Sequence, residues 1–349
     1  MPMSSITVLR DAQSKALPQP YLLFLGNTTE PGYAKTAFGL RDWAPERCVG
    51  EWSCGATVST GLPVLTPKEA RARGAGALVI GVANSGGVLH DSWIASLVEA
   101  LEAGLDIVSG MHMRLADVPQ LKSAAARLGR QLIDVRTPPR NIPIASGRKR
   151  SGKRLLTVGT DCALGKKYTA LALARAFIAR GIDADFRATG QTGILIAGRG
   201  VPMDAVISDF EAGAAEMLSP DAAPTHWDVV EGQGSLFHPA YAGVSLGLLH
   251  GSQPDVFVIC HAPGRDRVLG LEDFVLPSIE ETIDMTIRLG RRTNPAIRCA
   301  GVSLNTASMD DGAARRVLAE HRERLGLPAA DPMRGGSEFE ELVNACLVG

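Results

Sequence analysis

The chain has 349 residues, of which 45% are hydrophobic and 21% charged, and its 36 basic side chains nearly balance 37 acidic ones. This is the composition of an ordinary globular protein, and it gives no reason to expect a nucleic-acid partner. A chain of this length exceeds the size at which one hydrophobic core usually keeps growing, so we expect two domains.

No apolar run reaches the length that a membrane-spanning helix needs, and residues 1–5 lack the pattern of a targeting signal. The six cysteines form no C-x-x-C pair, so neither a disulfide framework nor a zinc site is indicated. The spacing of the histidines indicates no metal site either. We therefore expect a cytoplasmic protein with reduced thiols, no membrane partner and no bound metal.

In the first half of the chain, short apolar runs alternate with helical patterns, which is typical of a parallel sheet covered by helices. The predicted strands span residues 21–25, 77–80, 105–109 and 131–135, and the predicted helices span residues 67–73, 92–103 and 118–128. Glycines follow three of these strands, at positions 26, 81 and 110, where loops at the carboxyl edge of a sheet form a crevice.

A segment rich in proline, glycine and basic residues follows at residues 137–154 and marks the predicted domain boundary. It divides the chain into an N-terminal domain, residues 1–145, and a C-terminal domain, residues 146–349. Its basic residues are Arg148, Lys149, Arg150, Lys153 and Arg154. We interpret them first as a solvated linker, then as contacts to cofactor phosphates, and last as a nucleic-acid site.

After this boundary the alternation of strands and helices resumes, which predicts a second α/β domain. The predicted strands span residues 154–158, 184–188, 228–231, 256–260 and 299–304. The predicted helices span residues 166–180, 203–217, 241–249, 279–289, 312–325 and 338–347.

The first strand of this domain leads into a glycine-bounded loop and the start of a helix. The loop reads Gly159-Thr160-Asp161-Cys162-Ala163-Leu164-Gly165-Lys166-Lys167-Tyr168. It predicts a phosphate-binding turn, in which backbone N–H groups, the helix N-terminus and the Lys166 ammonium converge on an anion. A nucleophilic role for Cys162 is the less favoured alternative to a small residue chosen for fit.

Two departures from the usual phosphate-loop pattern bear on the chemistry. Five residues rather than four separate Gly159 from Gly165, and Lys167 stands where a magnesium-binding Ser or Thr is usual. Magnesium neutralises charge during phosphoryl transfer, so its missing ligand favours a cofactor whose phosphates are held and not cleaved.

Polar residues also follow other predicted strands. Gln191 and Thr192, in the Thr189–Gly193 turn, are candidates for binding substrate. Glu231 ends a buried-type strand and is our first candidate for a general base, with Asp209 and His238 behind it. Arg265 and Arg267 have the fork geometry that binds carboxylates or phosphates. Each assignment has a plainer alternative. Residues 189–193 could form a simple turn, Glu231 could cap the turn that follows it, and Arg265 and Arg267 could be surface residues in salt bridges.

These residues carry a resemblance to a known family. The loop, Val230-Glu231-Gly232-Gln233-Gly234 and Gly301-Val302-Ser303-Leu304-Asn305 together resemble the dethiobiotin synthetase branch of phosphate-loop proteins. Over nearly the whole chain, including Ala34-Lys35-Thr36-Ala37, Gly190-Gln191-Thr192-Gly193 and residues 209–216, the sequence resembles a narrower bacterial family. That family, formerly of unknown function, is associated with D-glutamate N-acetyltransferase.

The resemblance implies an α/β fold, with an N-terminal Rossmann-like parallel-sheet domain and a C-terminal P-loop NTPase-like domain. It implies transfer of the acetyl group of acetyl-CoA to the amino group of D-glutamate or a related D-amino acid, and a partner dehydrogenase that uses the product. The acetyl-CoA site would comprise the loop residues named above except Leu164. Loop N–H groups or Lys167 could then stabilise the oxyanion.

Alternatives from other classes remain open at this point. One is an ATP- and magnesium-dependent ligase or kinase of the dethiobiotin synthetase type, with Thr169 as a substitute magnesium ligand. Another is a binding or regulatory module without turnover. The small-molecule amino acid is the expected partner, and self-association into a homo-oligomer is expected from the frequency of symmetric oligomers among soluble enzymes.

Overall fold

The computed structural model describes residues 17–348, so residues 1–5, on which the absence of a targeting signal was predicted, lie outside the described part. The chain forms two compact units. One contains the described residues up to Pro138 together with Gln191–Pro202, and the other contains Pro139–Gly190 and the chain from Met203 onward. The return of Gln191–Pro202 to the N-terminal unit has no counterpart in the division predicted from sequence.

The N-terminal unit is built on a five-stranded parallel sheet with the strand order β2-β1-β3-β4-β5. Strands β1 to β5 are Tyr21–Phe24, Cys48–Trp52, Ala77–Ile80, Asp106–Ser109 and Leu132–Asp134. The helices of this unit are Lys35–Trp43, Pro67–Ala72, Asp91–Glu102, Pro119–Leu128 and, from the later segment, Gln191–Ala197. This strand order is a common doubly wound arrangement, whose topological switch point lies between β1 and β3.

The core of this unit explains why its central strands could be recognised in the sequence. Strands β1, β3 and β4 are buried along their whole length. Leu22, Phe24, Leu78 and Ile80 pack in one cluster with Trp93 from the helix Asp91–Glu102. Strands covered on both faces read as continuous apolar runs, which is the pattern that predicted them.

The C-terminal unit contains a six-stranded parallel sheet and a small antiparallel hairpin. Strands β6 to β13 are Lys153–Gly159, Ala184–Arg187, Trp227–Val230, Val256–His261, Arg267–Val268, Leu271–Val275, Arg298–Leu304 and Ala329–Ala330. The sheet has the order β13-β12-β9-β6-β8-β7, and β10 pairs with β11 in the hairpin. The helices are Lys166–Ala179, Glu211–Leu218, Ala242–Ser252, Ile279–Gly290, Asp311–Leu325 and Gly336–Leu347.

The position of β6 in this sheet determines where the phosphate loop lies. β6 pairs with β8 on one side and β9 on the other, with Leu156 opposite Val230 and Gly159 opposite Cys260. All three strands are parallel, so their carboxyl ends meet at one edge of the sheet. The loop that follows Gly159 therefore lies between the residues that follow β8 and β9.

The α/β fold predicted from sequence is confirmed, but the predicted helix over residues 203–217 is wrong in its first half. The chain there forms two short 3-10 turns, Met203–Ala205 and Ser208–Phe210, before the helix Glu211–Leu218 begins. The backbone at Ile207 is extended, which interrupts any continuous helix.

The basic segment at residues 148–154 is not a solvated linker at two of its arginines, Arg150 and Arg154. Arg150 and Arg154 are buried. Arg150 donates hydrogen bonds to the carbonyl oxygens of Ser219 and Gly251, both at 2.7 Å. Arg154 donates to Ser219 Oγ at 2.6 Å and to the Pro220 carbonyl at 2.9 Å. These arginines satisfy backbone groups inside the unit, because a buried guanidinium needs a partner for each N–H.

Among residues 17–348, no helix combines the length and the apolar character needed to cross a bilayer.

Candidate functional site

The predicted phosphate loop begins at the end of β6 and ends where the helix Lys166–Ala179 starts. Ala163 and Gly165 both adopt positive φ angles, 54° and 101°, which turn the backbone of the loop back on itself. The Lys166 ammonium is buried and donates to the carbonyl oxygen of Asp161 at 2.7 Å. Burial lowers the pKa of Lys166. An anion placed at the loop would add negative charge near this ammonium and favour its charged form.

The carboxylate of Asp161 accepts hydrogen bonds that connect the loop to the β10–β11 hairpin and to the residues before it. It is fully buried, and its Oδ2 accepts a hydrogen bond from the backbone N–H of Leu269 at 2.9 Å. Arg265 Nη1 lies 3.4 Å from the same oxygen and donates to the Cys162 carbonyl at 3.0 Å. Leu269 lies between β10 and β11, so the hairpin and the residues before it hold the loop from outside the main sheet.

The residues that follow β9 and β8 also contact the loop. Thr160 Oγ1 lies 2.9 Å from His261 Nδ1, and the Thr160 N–H donates to the Cys260 carbonyl at 3.2 Å. Ser235 Oγ donates to the Thr160 carbonyl at 3.2 Å. Burial lowers the pKa of His261 to about 4, so this ring is neutral at neutral pH.

Thr169, proposed above as a substitute magnesium ligand, does not lie on the open side of the loop. Its side chain is buried, and its hydroxyl bonds to Ser303 Oγ at 2.8 Å while Cys260 Sγ donates to it at 3.5 Å. Thr169 therefore packs the helix Lys166–Ala179 against strands β9 and β12. The hydroxyl that magnesium-dependent chemistry requires next to the loop lysine is replaced by Lys167, whose ammonium lies 4.8 Å from the centre of the Tyr168 ring.

Glu231, the first candidate for a general base, directly follows β8 and is buried. Its Oε2 accepts hydrogen bonds from the backbone N–H groups of Thr189 and Gly190, at 2.9 and 3.1 Å. Oε1 accepts none from the residues described. Burial raises the pKa of Glu231, against the opposing effects of these N–H groups and the loop lysines. One oxygen is thus fixed while the other can accept a proton.

The backbone next to Glu231 is packed so closely that only glycine fits. The Gly232 N–H donates to Thr157 Oγ1 at 2.9 Å, and a Cβ added at Gly232 would lie 1.6 Å from the Thr157 carbonyl oxygen. The close packing of β8 and β6 at this point fixes the position of Glu231 relative to the loop.

His238 is buried beside the loop and approaches Asp161 Oδ1, the carboxylate oxygen that does not bond to Leu269. Its Nε2 lies 3.8 Å from Asp161 Oδ1. Its Nδ1 accepts hydrogen bonds from the backbone N–H groups of Ala240 and Tyr241, at 3.1 and 3.2 Å. Burial lowers the pKa of His238, although the nearby carboxylate raises it.

Two other predicted residues lie at the surface of the C-terminal unit. Asp209, in the 3-10 turn Ser208–Phe210, is exposed and makes no hydrogen bond or ion pair with any described residue. Arg267 is exposed on β10 and donates to the Glu272 carbonyl at 3.4 Å. Arg265, by contrast, donates a hydrogen bond to the Cys162 carbonyl of the loop.

Gln191 and Thr192 are the first residues of a helix in the N-terminal unit rather than part of a turn. The Gln191 side chain packs against Gly110, and Thr192 Oγ1 bonds to Thr36 Oγ1 at 3.0 Å. The predicted turn at residues 189–193 is thus divided between the two units, because Thr189 and Gly190 belong with Glu231 in the C-terminal unit.

Two clusters of side chains among the described residues could be considered for a metal. In the first, Asp185, His226 and Asp228, the carboxylates already pair with Arg187, at 3.1 and 2.6 Å. In the second, single ligand atoms of Asp161, Cys162 and His238 lie within 4.8 Å of one another.

Comparison with known protein families covers both halves of the chain. Residues 143–343 match a family described as a domain of unknown function, DUF1611_C, a P-loop domain. Residues 46–138 match its companion, DUF1611_N, described as a Rossmann-like domain. The chain belongs to the DUF1611 family. The family suspected from the loop and the strand-end motifs is confirmed, and so is the pairing of a Rossmann-like domain with a P-loop domain.

Relatives of this DUF1611 protein match it over most of its length. A curated protein of Tritonibacter scottomollicae named D-glutamate N-acetyltransferase is 51% identical over 321 residues, 91% of this chain and 96% of the relative. A protein of the same name from a Pseudoalteromonas species is 51% identical over 318 residues, with the same coverage. The crystal structure of a DUF1611 family protein from Anabaena variabilis is 32% identical, with a TM-score of 0.83 over 94% of this chain and 99% of that one.

The loop of this DUF1611 protein could be predicted from its sequence, but the contacts that hold the loop in place could not. The contact from Leu269 was not predicted, and Arg265, predicted to bind a carboxylate or a phosphate, donates to the Cys162 carbonyl of the loop. The available signal was Asp161 itself, because a carboxylate inside a predicted anion-binding turn needs donors of its own.

Proposed function

We propose that this protein transfers an acetyl group to the amino group of D-glutamate. The observation that carries the proposal is the 51% identity, over 91% of the chain, to two relatives that both bear the name D-glutamate N-acetyltransferase. The similarity extends across 96% of each relative and includes both units of this chain.

Acetyl-CoA is the acetyl donor in this proposal, and the phosphate loop is its binding site. The pyrophosphate and 3′-phosphate of CoA are anions that need to be held but not cleaved. Backbone N–H groups at the start of the helix Lys166–Ala179, with Lys166 and Lys167, supply positive charge without a metal. The burial of the Thr169 hydroxyl also argues against the ATP- and magnesium-dependent alternative.

Glu231 is the proposed general base. It takes a proton from the substrate ammonium, and the resulting amine attacks the thioester carbonyl carbon. The tetrahedral oxyanion then collapses, the carbon–sulfur bond breaks, and the second proton that the nitrogen gives up passes to the departing CoA thiolate. The fixed Oε2, the unbonded Oε1 and the raised pKa of Glu231 support this role. Loop N–H groups or Lys167 would stabilise the oxyanion.

The two carboxylates of D-glutamate need cationic or hydrogen-bonding partners of their own. Of the predicted pair, the exposed guanidinium of Arg267 suits a carboxylate better than that of Arg265, which already bonds to the loop. Gln191 and Thr192 are kept as candidates, as is Asp209 as an auxiliary base. We also propose that the protein forms a homo-oligomer and that a partner dehydrogenase acts on its N-acetylated product.

Release of free thiol tests the proposed function. Purified protein is incubated with acetyl-CoA and D-glutamate, L-glutamate or no acceptor, and thiol is followed with a chromogenic disulfide. We expect thiol release only with D-glutamate, together with N-acetyl-D-glutamate by mass spectrometry. A parallel incubation with MgATP and D-glutamate should yield no ADP. ADP formation without thiol release would replace the transferase with the ligase or kinase alternative.

A further inference from the structure

The two backbone hydrogen bonds to His238 fix the position of its proton. A backbone N–H can only donate, so Nδ1, which faces the N–H groups of Ala240 and Tyr241 at 3.1 and 3.2 Å, must carry a lone pair. The neutral ring therefore carries its proton on Nε2. A second proton, on Nδ1, would point at both backbone N–H groups, so the surroundings also disfavour the imidazolium form.

The Nε2–H group faces an oxygen that lacks a donor. Asp161 Oδ1 lies 3.8 Å from Nε2, is shielded from solvent and accepts no hydrogen bond from residues 17–348, whereas Oδ2 accepts from Leu269. Leaving a buried carboxylate oxygen unsatisfied is unfavourable. An approach of about 1 Å would bring the two atoms to the length of a charge-assisted hydrogen bond.

The same proton excludes two other roles for this cluster. A zinc ion between Asp161, Cys162 and His238 would need a lone pair on Nε2, and without it only two protein ligands remain. A general base at His238 would need the same lone pair. His238 is therefore suited to donate, and Asp161 Oδ1 is the acceptor that it faces.

We propose that His238 is a positioning residue of the phosphate loop, whose Nε2–H donates to Asp161 Oδ1 and holds the loop in the form that receives an anion. Asp161 is the route of this effect, because its carbonyl oxygen accepts from the Lys166 ammonium at 2.7 Å. A displaced Asp161 would displace the charge that meets the anion. The inference rests on the proposed function only in taking acetyl-CoA as the anionic ligand.

Nitrogen NMR on the wild-type protein, labelled with ¹⁵N-histidine, tests the proton position directly. The His238 signals are assigned by their absence in His238→Gln. We expect the Nε2–H tautomer at neutral pH, with no change on addition of Zn²⁺. An Nδ1–H tautomer, an imidazolium, or a metal-induced shift of Nε2 would overturn the proposal. This measurement does not depend on whether acetyl-CoA is the substrate.

Two substitutions then test the donor itself. In His238→Gln the side-chain amide keeps a donor near the Nε2 position, whereas His238→Leu removes it. By calorimetry we expect His238→Leu to bind acetyl-CoA about tenfold more weakly than wild type and His238→Gln to bind it nearly as well. His250→Leu, at a histidine of the same unit that bonds to the Leu289 carbonyl, is the control and should leave the affinity unchanged. Equal weakening by the Gln and Leu variants at His238 would refute the donor role.

If the wild-type protein does not bind acetyl-CoA, the proposal that acetyl-CoA is the acetyl donor fails, but the proposed hydrogen bond from His238 to Asp161 can still be tested. The test is then a double-mutant cycle measured by unfolding. Asp161→Asn is measured in the wild-type and His238→Leu backgrounds. We expect it to lower the free energy of unfolding less in the second background, because the contact is already gone. Additive effects would show that the two side chains do not interact.

Discussion

At the scale of single residues, the burial of Glu231 lowers the stability of the folded protein at neutral pH but suits the residue to act as a base. Its carboxyl is buried, and burial raises its pKa above that of a free glutamate. The folded protein therefore binds this proton more tightly than the unfolded chain does. The resulting contribution to stability is present below the unfolded-state pKa and is lost as the pH rises through the folded-state pKa.

We predict that Glu231→Gln lowers kcat by about 100-fold or more, since a positioned base typically contributes that much. At neutral pH the same variant should unfold at a higher urea concentration than wild type, because it removes a buried charge while keeping an acceptor for Thr189 and Gly190. The wild-type rate should rise with pH along a limb centred above the ordinary glutamate pKa. Wild-type turnover in the Gln variant would remove Glu231 from the mechanism.

Gly232 is a second position where one residue controls the site. A Cβ there would overlap the Thr157 carbonyl oxygen, at 1.6 Å, so β6 and β8 would have to separate. Gly232→Ala should lower the free energy of unfolding by about 1–3 kcal/mol and reduce activity. Gly243→Ala is the matched control, because its Cβ would meet nothing within 4 Å in the helix Ala242–Ser252 and alanine favours helix. Equal unfolding midpoints for the two variants would contradict this reading.

At the scale of elements, the β10–β11 hairpin and the residues before it act on the loop through Asp161 and Cys162. Arg265→Ala should raise the KM for acetyl-CoA about tenfold, because it removes donors from a buried carboxylate and a loop carbonyl. Arg267→Ala should leave that KM unchanged and raise the KM for D-glutamate. Steady-state kinetics with each substrate varied separately distinguishes the two effects, and a reversed pattern would exchange the two roles.

The elements that could be predicted from sequence are those whose burial is uniform. β3 and β4 read as apolar runs because both faces are covered. Strand β2, Cys48–Trp52, was missed because it contains a glycine and Glu51, which is buried only because Ser59 and Thr60 donate to it. The helix Gln191–Ala197 was missed because its two leading polar residues read as ligand contacts.

The candidate site likewise contains features that could be predicted from the sequence and features that could not. The loop could be predicted because Gly159, Gly165 and Lys166 lie between an apolar strand and a helix, although one residue more than usual separates the two glycines. The contact from Leu269 to Asp161 joins residues 108 positions apart through a backbone N–H, which leaves no mark on the sequence. The protonated nitrogen of His238 likewise depends on backbone donors rather than on its neighbours' identities.

At the scale of the whole molecule, ligand binding should be visible in stability. Acetyl-CoA at 100 times its Kd should add about 2.7 kcal/mol to the unfolding free energy of the unit that binds it. We expect a higher melting temperature with acetyl-CoA than with acetate, in the presence of EDTA as in its absence, because in the proposed site lysines rather than a metal hold the phosphates. A stabilisation that EDTA abolishes would instead indicate a metal-bridged ligand.

The return of Gln191–Pro202 to the N-terminal unit also bears on how the protein is made. The helix Gln191–Ala197 contributes the Thr192 partner of Thr36, and the Ile196 carbonyl accepts from Arg47 at 2.8 Å. During synthesis on the ribosome, the first unit thus lacks one of its helices until the chain beyond Pro202 has emerged. A fragment that stops at Pro138 would leave Thr36 without Thr192 and Arg47 without the Ile196 carbonyl. We therefore expect the N-terminal unit to complete its folding only after residues 191–202 have been synthesised.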